Sequence, residues 1–260
     1  QTSNMRISLT LEHRPGAAIP IDYRAAVSAW IYKTIEQADS DFARWLHEEG
    51  WIYGSRRYKL FTFGELRPRR YDLKGGTLFL VEGPTRLTLS FYLPEIAHHL
   101  LLGMFQSMRF HLGSRQRPEW FEIRQAMTLP EPDWQPAMSF RMMTPCCVAQ
   151  PDPDGGHSSY LPPDHPEYSA RLVNNLVSKL KALPDKERPD FPEAFDWSFE
   201  LMSDYRSKLH QVHESRVRGY LFDFQLKAPQ ALLRMGYYGG LGEKGASLGF
   251  GMVRELTSSR

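Results

Sequence analysis

With 260 residues, 30.1 kDa and 42% apolar side chains, the chain can bury one large or two small cores, which excludes a disordered or fibrous molecule. A formal net charge of only +2 excludes polyanion binding through bulk charge alone, and two adjacent cysteines, Cys146 and Cys147, exclude a disulfide framework or a C-x-x-C zinc site. No apolar run reaches the length of a membrane span, so the expected setting is a reducing cytoplasm with no membrane partner.

Gln1–Asn4, ahead of Met5, read as residues preceding the natural start. Met5–Leu11 alternates apolar and polar residues through Ile7, Leu9 and Leu11, the period of a half-buried strand. From Asp22 to Gln37 the positions Val27, Ile31 and Ile35 fall four apart and predict a helix, with Tyr32 beside that seam. Asp39 and Ser40 cap a second helix that carries Phe42, Trp45 and Leu46 on one face, His47 in its last turn and Gly50 at its close. Lys59–Leu66 is strand-like, a basic turn follows to Lys74, and Thr77–Val81 and Leu87–Tyr92 are two further strands. Pro94 opens a helix through Ile96, Leu100 and Met104, and strands at Met108–Leu112 and Phe121–Leu129 complete the unit. Strand, helix, strands, helix, strand is the split βαβ order of ferredoxin-like folds.

Pro130, Pro132 and Pro136 mark a linker over 130–137, and the same order then runs again. It comprises a strand at Met138–Val148, a helix at Pro166–Leu183, strands at Phe195–Met202 and within Leu209–Leu226, and a short helix at Pro229–Met235. The expectation is an α+β chain of two tandem ferredoxin-like (RRM-like) domains, over 5–129 and 138–260, each an antiparallel sheet with helices on one face.

Two segments concentrate positive charge. Arg56, Arg57, Lys59, Arg67, Arg69, Arg70 and Lys74 face only Glu65 and Asp72, while Arg206, Lys208, Arg216 and Arg218, with His210 and His213, face only Glu214. Local basic stretches on a near-neutral chain are the footprint of a polyanion site. A third feature is Gly236–Gly251, which holds seven of the 19 glycines. Gly240, Gly242 and Gly245 spell the dinucleotide pattern, but too little chain follows for a βαβ unit with an acidic ribose partner, and Lys244 does not stand in a P-loop pattern. What remains is a loop whose free amides, from Gly242 to Gly249, suit a string of phosphates, with Lys244 as its cation and a terminal strand at Phe250–Val253.

The string from Gly236 to Val253, including Gly-Leu-Gly-Glu-Lys and Ser-Leu-Gly-Phe-Gly-Met-Val, resembles the carboxy-terminal signature of the CRISPR-associated repeat endoribonucleases of the Cas-six family, in the RAMP superfamily. Met5-Arg-Ile-Ser-Leu, Ile31-Tyr-Lys, Leu46-His-Glu-Glu-Gly and Lys59-Leu-Phe-Thr-Phe resemble the amino-terminal half of the same family. The resemblance implies cleavage of precursor CRISPR RNA within its repeats, without cofactor or metal, leaving 2′,3′-cyclic phosphate and 5′-hydroxyl ends. It implies a catalytic set of Tyr32, His47 and Lys59; because Trp51–Tyr58 lengthens the step from His47 to Lys59, Arg56 and Arg57 are alternatives for the cation. RNA contacts are expected from Arg56, Arg57, Arg67, Arg69, Arg70, Lys74, Arg206, Arg216, Arg218, Gly242, Lys244 and Gly249. The partners implied are the precursor and processed repeat RNA, with CRISPR effector subunits and a homodimer left open.

RNA supplies its own nucleophile in the 2′-hydroxyl, so such an enzyme needs an acid, a base and a cation. Histidine can act as either acid or base near neutrality, and a place in a last helical turn favours its protonated form. The rival readings are a non-cleaving RAMP-type subunit that holds guide RNA, a single-strand reader stacking bases on Phe61 and Phe63, and a nucleotide-binding enzyme.

Overall fold

The computed structural model describes residues 4–114, 117–151, 159–212 and 215–256; Gln1–Ser3, His213 and Glu214 lie outside these. The alternation in strand Met5–Glu12 encloses Ile7, Leu9 and Leu11 on one face, and this strand is the centre of a five-stranded sheet. Thr85–Phe91 and Arg117–Thr128 flank it, with Phe61–Phe63 and Arg109–Ser114 outermost, and every pairing is antiparallel. Helix α1 (Arg24–Ala38) buries Val27, Ile31 and Ile35, the short helix α2 (Ser40–Glu48) packs beside it, and α3 (Pro94–Gln106) adds Ile96, Leu100 and Met104 to the same core.

The second half repeats this plan. Ala137–Met142 lies between Asp223–Lys227 and Val253–Glu255, with Ser198–Leu201 at the edge, and helices α4 (Tyr168–Lys181) and α5 (Gln230–Gly239) supply its buried faces. In both sheets the first strand of the unit sits between the third and the last, and the second is at an edge. That is the ferredoxin-like strand order twice over, as the element order in the sequence implies. Each unit carries a hairpin inserted between its second and third strands: Arg70–Lys74 with Thr77–Glu82, and Arg206–Val212 with Ser215–Leu221.

Five local expectations are corrected. The strand over Lys59–Leu66 shrinks to Phe61–Phe63, because Leu60 takes φ 54 and breaks the ladder. The basic turn is a strand from Arg70 to Lys74. Met138–Val148 stops at Met142, and α5 runs past Met235 to Gly239 because Gly236, whose Cβ would stand 2.7 Å from Leu241 Cδ2, is needed inside the helix for close packing. The last strand is Val253–Glu255, not Phe250–Val253. Cys146 and Cys147 are free and buried, and burial pushes the Cys146 thiol up to about 11.

Arg6 ties the two sheets. Its guanidinium, 4% exposed, donates to Ser90 Oγ at 3.0 Å, to the carbonyl of Val253 at 2.6 Å and to that of Tyr237, and lies 3.3 Å over the Tyr237 ring. Burial pulls it down to about 10, and it remains a cation at neutral pH. Asn4 extends this seam, accepting from Arg234 Nε at 2.9 Å. Among the described residues no helix is long and apolar enough to cross a membrane.

Candidate active site

The seam of α1 faces the sheet, so Tyr32, one residue past Ile31, is turned about 100° away from it. Its ring meets His47 edge to face with centroids 4.9 Å apart, and Phe61 closes its other side at 5.7 Å. His47 reaches this position because Asp39 caps α2, accepting from the Phe42 amide at 2.8 Å, and because the helix stops within one turn of the histidine. The imidazole is exposed at the open edge, whereas Tyr32 is half-buried.

Between His47 and Lys59 the chain folds into a small hairpin, Trp51–Tyr53 against Arg56–Tyr58, with Gly54 and Ser55 at the turn. Trp51 pairs with Tyr58, so the chain returns to the end of α2, and the Lys59 ammonium donates to the His47 carbonyl at 2.7 Å. Gly50 permits the return: at φ +64, a Cβ there would stand 2.4 Å from the Tyr58 carbonyl. The lengthened spacing is thereby looped out, and Lys59 lies beside His47. The alternatives are engaged elsewhere, Arg57 with the Glu48 carbonyl at 2.8 Å and Arg56 with Glu243 at 3.1 Å.

Burial pushes the Tyr32 hydroxyl up to about 12, partly relieved by a hydrogen bond with the Ser247 side chain. It is therefore a neutral hydroxyl at pH 7. Lys59 is brought down to about 8 by desolvation and then by the Arg57 charge, with Glu49 opposing both. It stays largely protonated at neutrality and is lost as a cation on the alkaline side.

The glycine loop closes one side of this edge. Several of its amides are engaged by the protein: Leu241 donates to Gly251, Glu243 to Cys147, Leu248 and Phe250 to Gly245, Gly249 to Ala246 and Gly251 to Pro145. The expectation of free amides from Gly242 to Gly249 is therefore corrected at Glu243, Leu248 and Gly249. Gly242 and Gly249 are buried, and a Cβ would stand 2.7 Å from the Cys147 carbonyl at the first and 2.4 Å from the Phe63 ring at the second. Lys179, 3% exposed, donates to the carbonyls of Gly240 at 2.6 Å and Gly242 at 3.2 Å, and Arg24 donates to Gly249 at 2.7 Å.

The cations of the two halves do converge at one place. Arg56, Arg57 and Lys244 line a cleft of about 230 Å³, with Glu243 at its floor accepting from the Ala149 amide at 2.9 Å. Arg67 is exposed and reaches Met143 of the second half, Arg69 pairs with Glu82 at 3.7 Å, and Arg70 and Lys74 are exposed on their strand. On the Arg206–Leu221 hairpin, Arg216 and Arg218 share one face and Arg206 lies on the other, with His210 packed on Phe250 at 5.3 Å.

Sequence reasoning missed Arg24 and Lys179. Lys179 had a signal, since it follows Asn175 by four on the buried side of α4; Arg24 had none, because its acceptor, the Gly249 carbonyl, lies at the other end of the chain.

Residues 129–255 match the family model of CRISPR associated protein Cas6, C-terminal. CRISPR-associated endoribonuclease Cas6 1 of Methanocaldococcus jannaschii is 25% identical over 252 residues, spanning 96% of this chain and 92% of that protein. The second half of the chain thus carries the C-terminal domain of the Cas6 family. Among solved structures, that of a Cas6-related gene product from Pyrococcus furiosus has a TM-score of 0.82 at 21% identity, covering 99% of this chain and 100% of the other. A RAMP protein described as binding different RNA substrates has a TM-score of 0.80 at 20% identity, covering 97% and 100%. These two likenesses carry the fold, the tandem ferredoxin-like plan.

Proposed function

We propose that this chain is a Cas6-type endoribonuclease that cleaves precursor CRISPR RNA within its repeats, without a metal ion, by attack of the 2′-hydroxyl on the adjacent phosphate. The observation that carries the reading is the meeting of three groups from separate elements: the Tyr32 ring against His47, and the Lys59 ammonium on the His47 carbonyl. The Methanocaldococcus jannaschii relative, named an endoribonuclease, supports it.

In this reading Tyr32, held un-ionised by burial, orients the ribose 2′-hydroxyl. The 2′-oxygen bonds to phosphorus, its proton passing to solvent at the open edge. The bond to the 5′-oxygen breaks and that oxygen takes a proton from His47, which the last turn of α2 holds at the open edge. Lys59 offsets the charge on the non-bridging oxygens. The RNA runs along the cleft between the halves, past Arg56, Arg57 and Lys244, with Arg67, Arg69, Arg70, Lys74, Arg206, Arg216 and Arg218 as outlying phosphate contacts. The halves are read as domains over 5–129 and 138–260, working in the cytoplasm; a homodimer and CRISPR effector subunits are the further partners, read out by light scattering and co-purification.

Incubating the protein with its cognate repeat RNA in EDTA tests the reading. The expected products carry a 2′,3′-cyclic phosphate and a 5′-hydroxyl. Cleavage that vanishes in EDTA and returns with Mg²⁺, or products with 5′-phosphates, would sink it, and intact RNA under all conditions would favour a guide-holding subunit.

A further inference from the structure

At the outer edge of the first sheet, we propose a second RNA-contact site, where an unpaired base of the same transcript stacks on Trp120; this rests on the RNA-processing reading above. The edge strand Arg109–Ser114 and helix α1 border a cavity of about 440 Å³, within the range of sites for small ligands. Its floor is Trp30, stacked on Phe110 with centroids 4.2 Å apart. Lys33 lines it from the exposed side of α1, and Arg109, His111 and Trp120 line it from the strands. Four strand spacings, about 19 Å, separate this edge from Phe61–Phe63 beside the candidate active site. The RNA segment held here is therefore several nucleotides removed from the cut.

The platform is Trp120. It is 52% exposed, yet its ring is braced: His111, its partner across the ladder, lies 5.2 Å away, and the Arg109 guanidinium stands 5.8 Å from its centroid. An exposed aromatic ring beside cations is what single-stranded bases stack on, whatever their sequence. The charge fits as well. Among the described residues that wall the cavity, Lys33 and Arg109 are the charged ones and there is no carboxylate. The acids that flank Trp120 in the chain are already taken, Glu119 by Arg14 at 2.9 Å and Glu122 by Arg124 at 3.0 Å. A phosphate would meet positive charge here and a base would meet a ring, which favours RNA over an apolar peptide. Phe61 and Phe63, the stacking pair suggested by the sequence, are fully buried and offer no such face.

The test compares Kd for two RNAs, the cognate repeat with its flanking bases and a short form trimmed to the bases around the cut, with thermal midpoints measured alongside. Trp120→Ala should raise Kd for the long RNA about tenfold, the scale of one lost stack, and leave Kd for the short RNA unchanged. Trp120→Phe, which keeps a ring, should restore most of the affinity. Lys33→Ala combined with Arg109→Ala should flatten the salt dependence for the long RNA by about 0.7 per lost contact. A Trp120→Ala protein that melts normally and binds the long RNA as the wild type does would overturn the inference, as would equal weakening of both RNAs. If Trp120→Ala melts early, the Lys33 and Arg109 pair, both exposed, decides: an unchanged salt slope overturns the site. A dimeric wild type that Trp120→Ala turns into a monomer would make the cavity a protein interface and overturn it too. Cleavage of the repeat by the wild type, with the expected ends, keeps the functional reading standing through any of these failures; absence of cleavage and of repeat binding would remove both.

Discussion

At the tip of the Trp51–Tyr58 hairpin, Gly54 has φ +60 and open space where a Cβ would go. In the loop from Gly240 to Gly251, by contrast, every glycine would drive a Cβ against protein, down to 1.9 Å from the Leu241 carbonyl at Gly251. Both regions border the candidate site, yet one is a free turn and the other a packed plug. Glycine density, which in the sequence suggests a cradle for a ligand, here reflects backbone passing backbone. The difference assigns two kinds of sensitivity: the loop should fail through stability, and the edge holding His47 and Lys59 should fail through chemistry.

The sharpest way to break this comparison is at Gly251. Gly251→Val should destabilise the fold on the order of 3 kcal/mol or more, through a left-handed φ and a backbone clash, seen as a large drop in the thermal midpoint. A variant that melts normally would mean the loop is not a plug. His47→Ala should do the reverse, slowing single-turnover cleavage by about a hundredfold with RNA affinity and melting unchanged. Wild-type cleavage would move the chemistry elsewhere.

Lys59 gives a graded test by pH. Its folded pKa of about 8 means the cation is present below that value and lost above it, so kcat/KM should fall about tenfold per unit on the alkaline side. Lys59→Arg, permanently charged, should hold its rate beyond about pH 9; an alkaline limb at the same place in both proteins would acquit Lys59. The smallest effect belongs to the outlying cations. Arg67, Arg69 and Arg70 replaced together by Ala should weaken matched and scrambled RNA alike and flatten the salt slope by about 0.7 per lost contact. An unchanged slope would take the RNA path off that surface.

The period of Met5–Leu11 and the four-residue spacing on α1 and α4 were legible because they are local, and the doubled strand order follows from them. That His47 stands at an open edge was legible because a helix end places a side chain within a turn or so, whereas Tyr32 is in the middle of α1 and meets it only through packing. What could not be read was any property set by distant partners. The amides of Glu243 and Gly251 look free in the sequence, yet their acceptors are Cys147 and Pro145, on the far side of α4 in the chain. Lys59 depends likewise on where a hairpin returns, and that return has no sequence period.

The register of the small hairpin has a consequence for lineage and engineering. Because Trp51 sits opposite Tyr58, the ladder is fastened at its base, beside the helix end, and its tip projects into open space. Residues added at the tip in pairs would extend both strands and preserve the alternation of faces, whereas an odd insertion would need a bulge to hold Lys59 in place. The distance in sequence from the histidine to the lysine is therefore a poor key for finding this kind of active site in other chains. That same tip is a ready attachment point for a probe beside the chemistry.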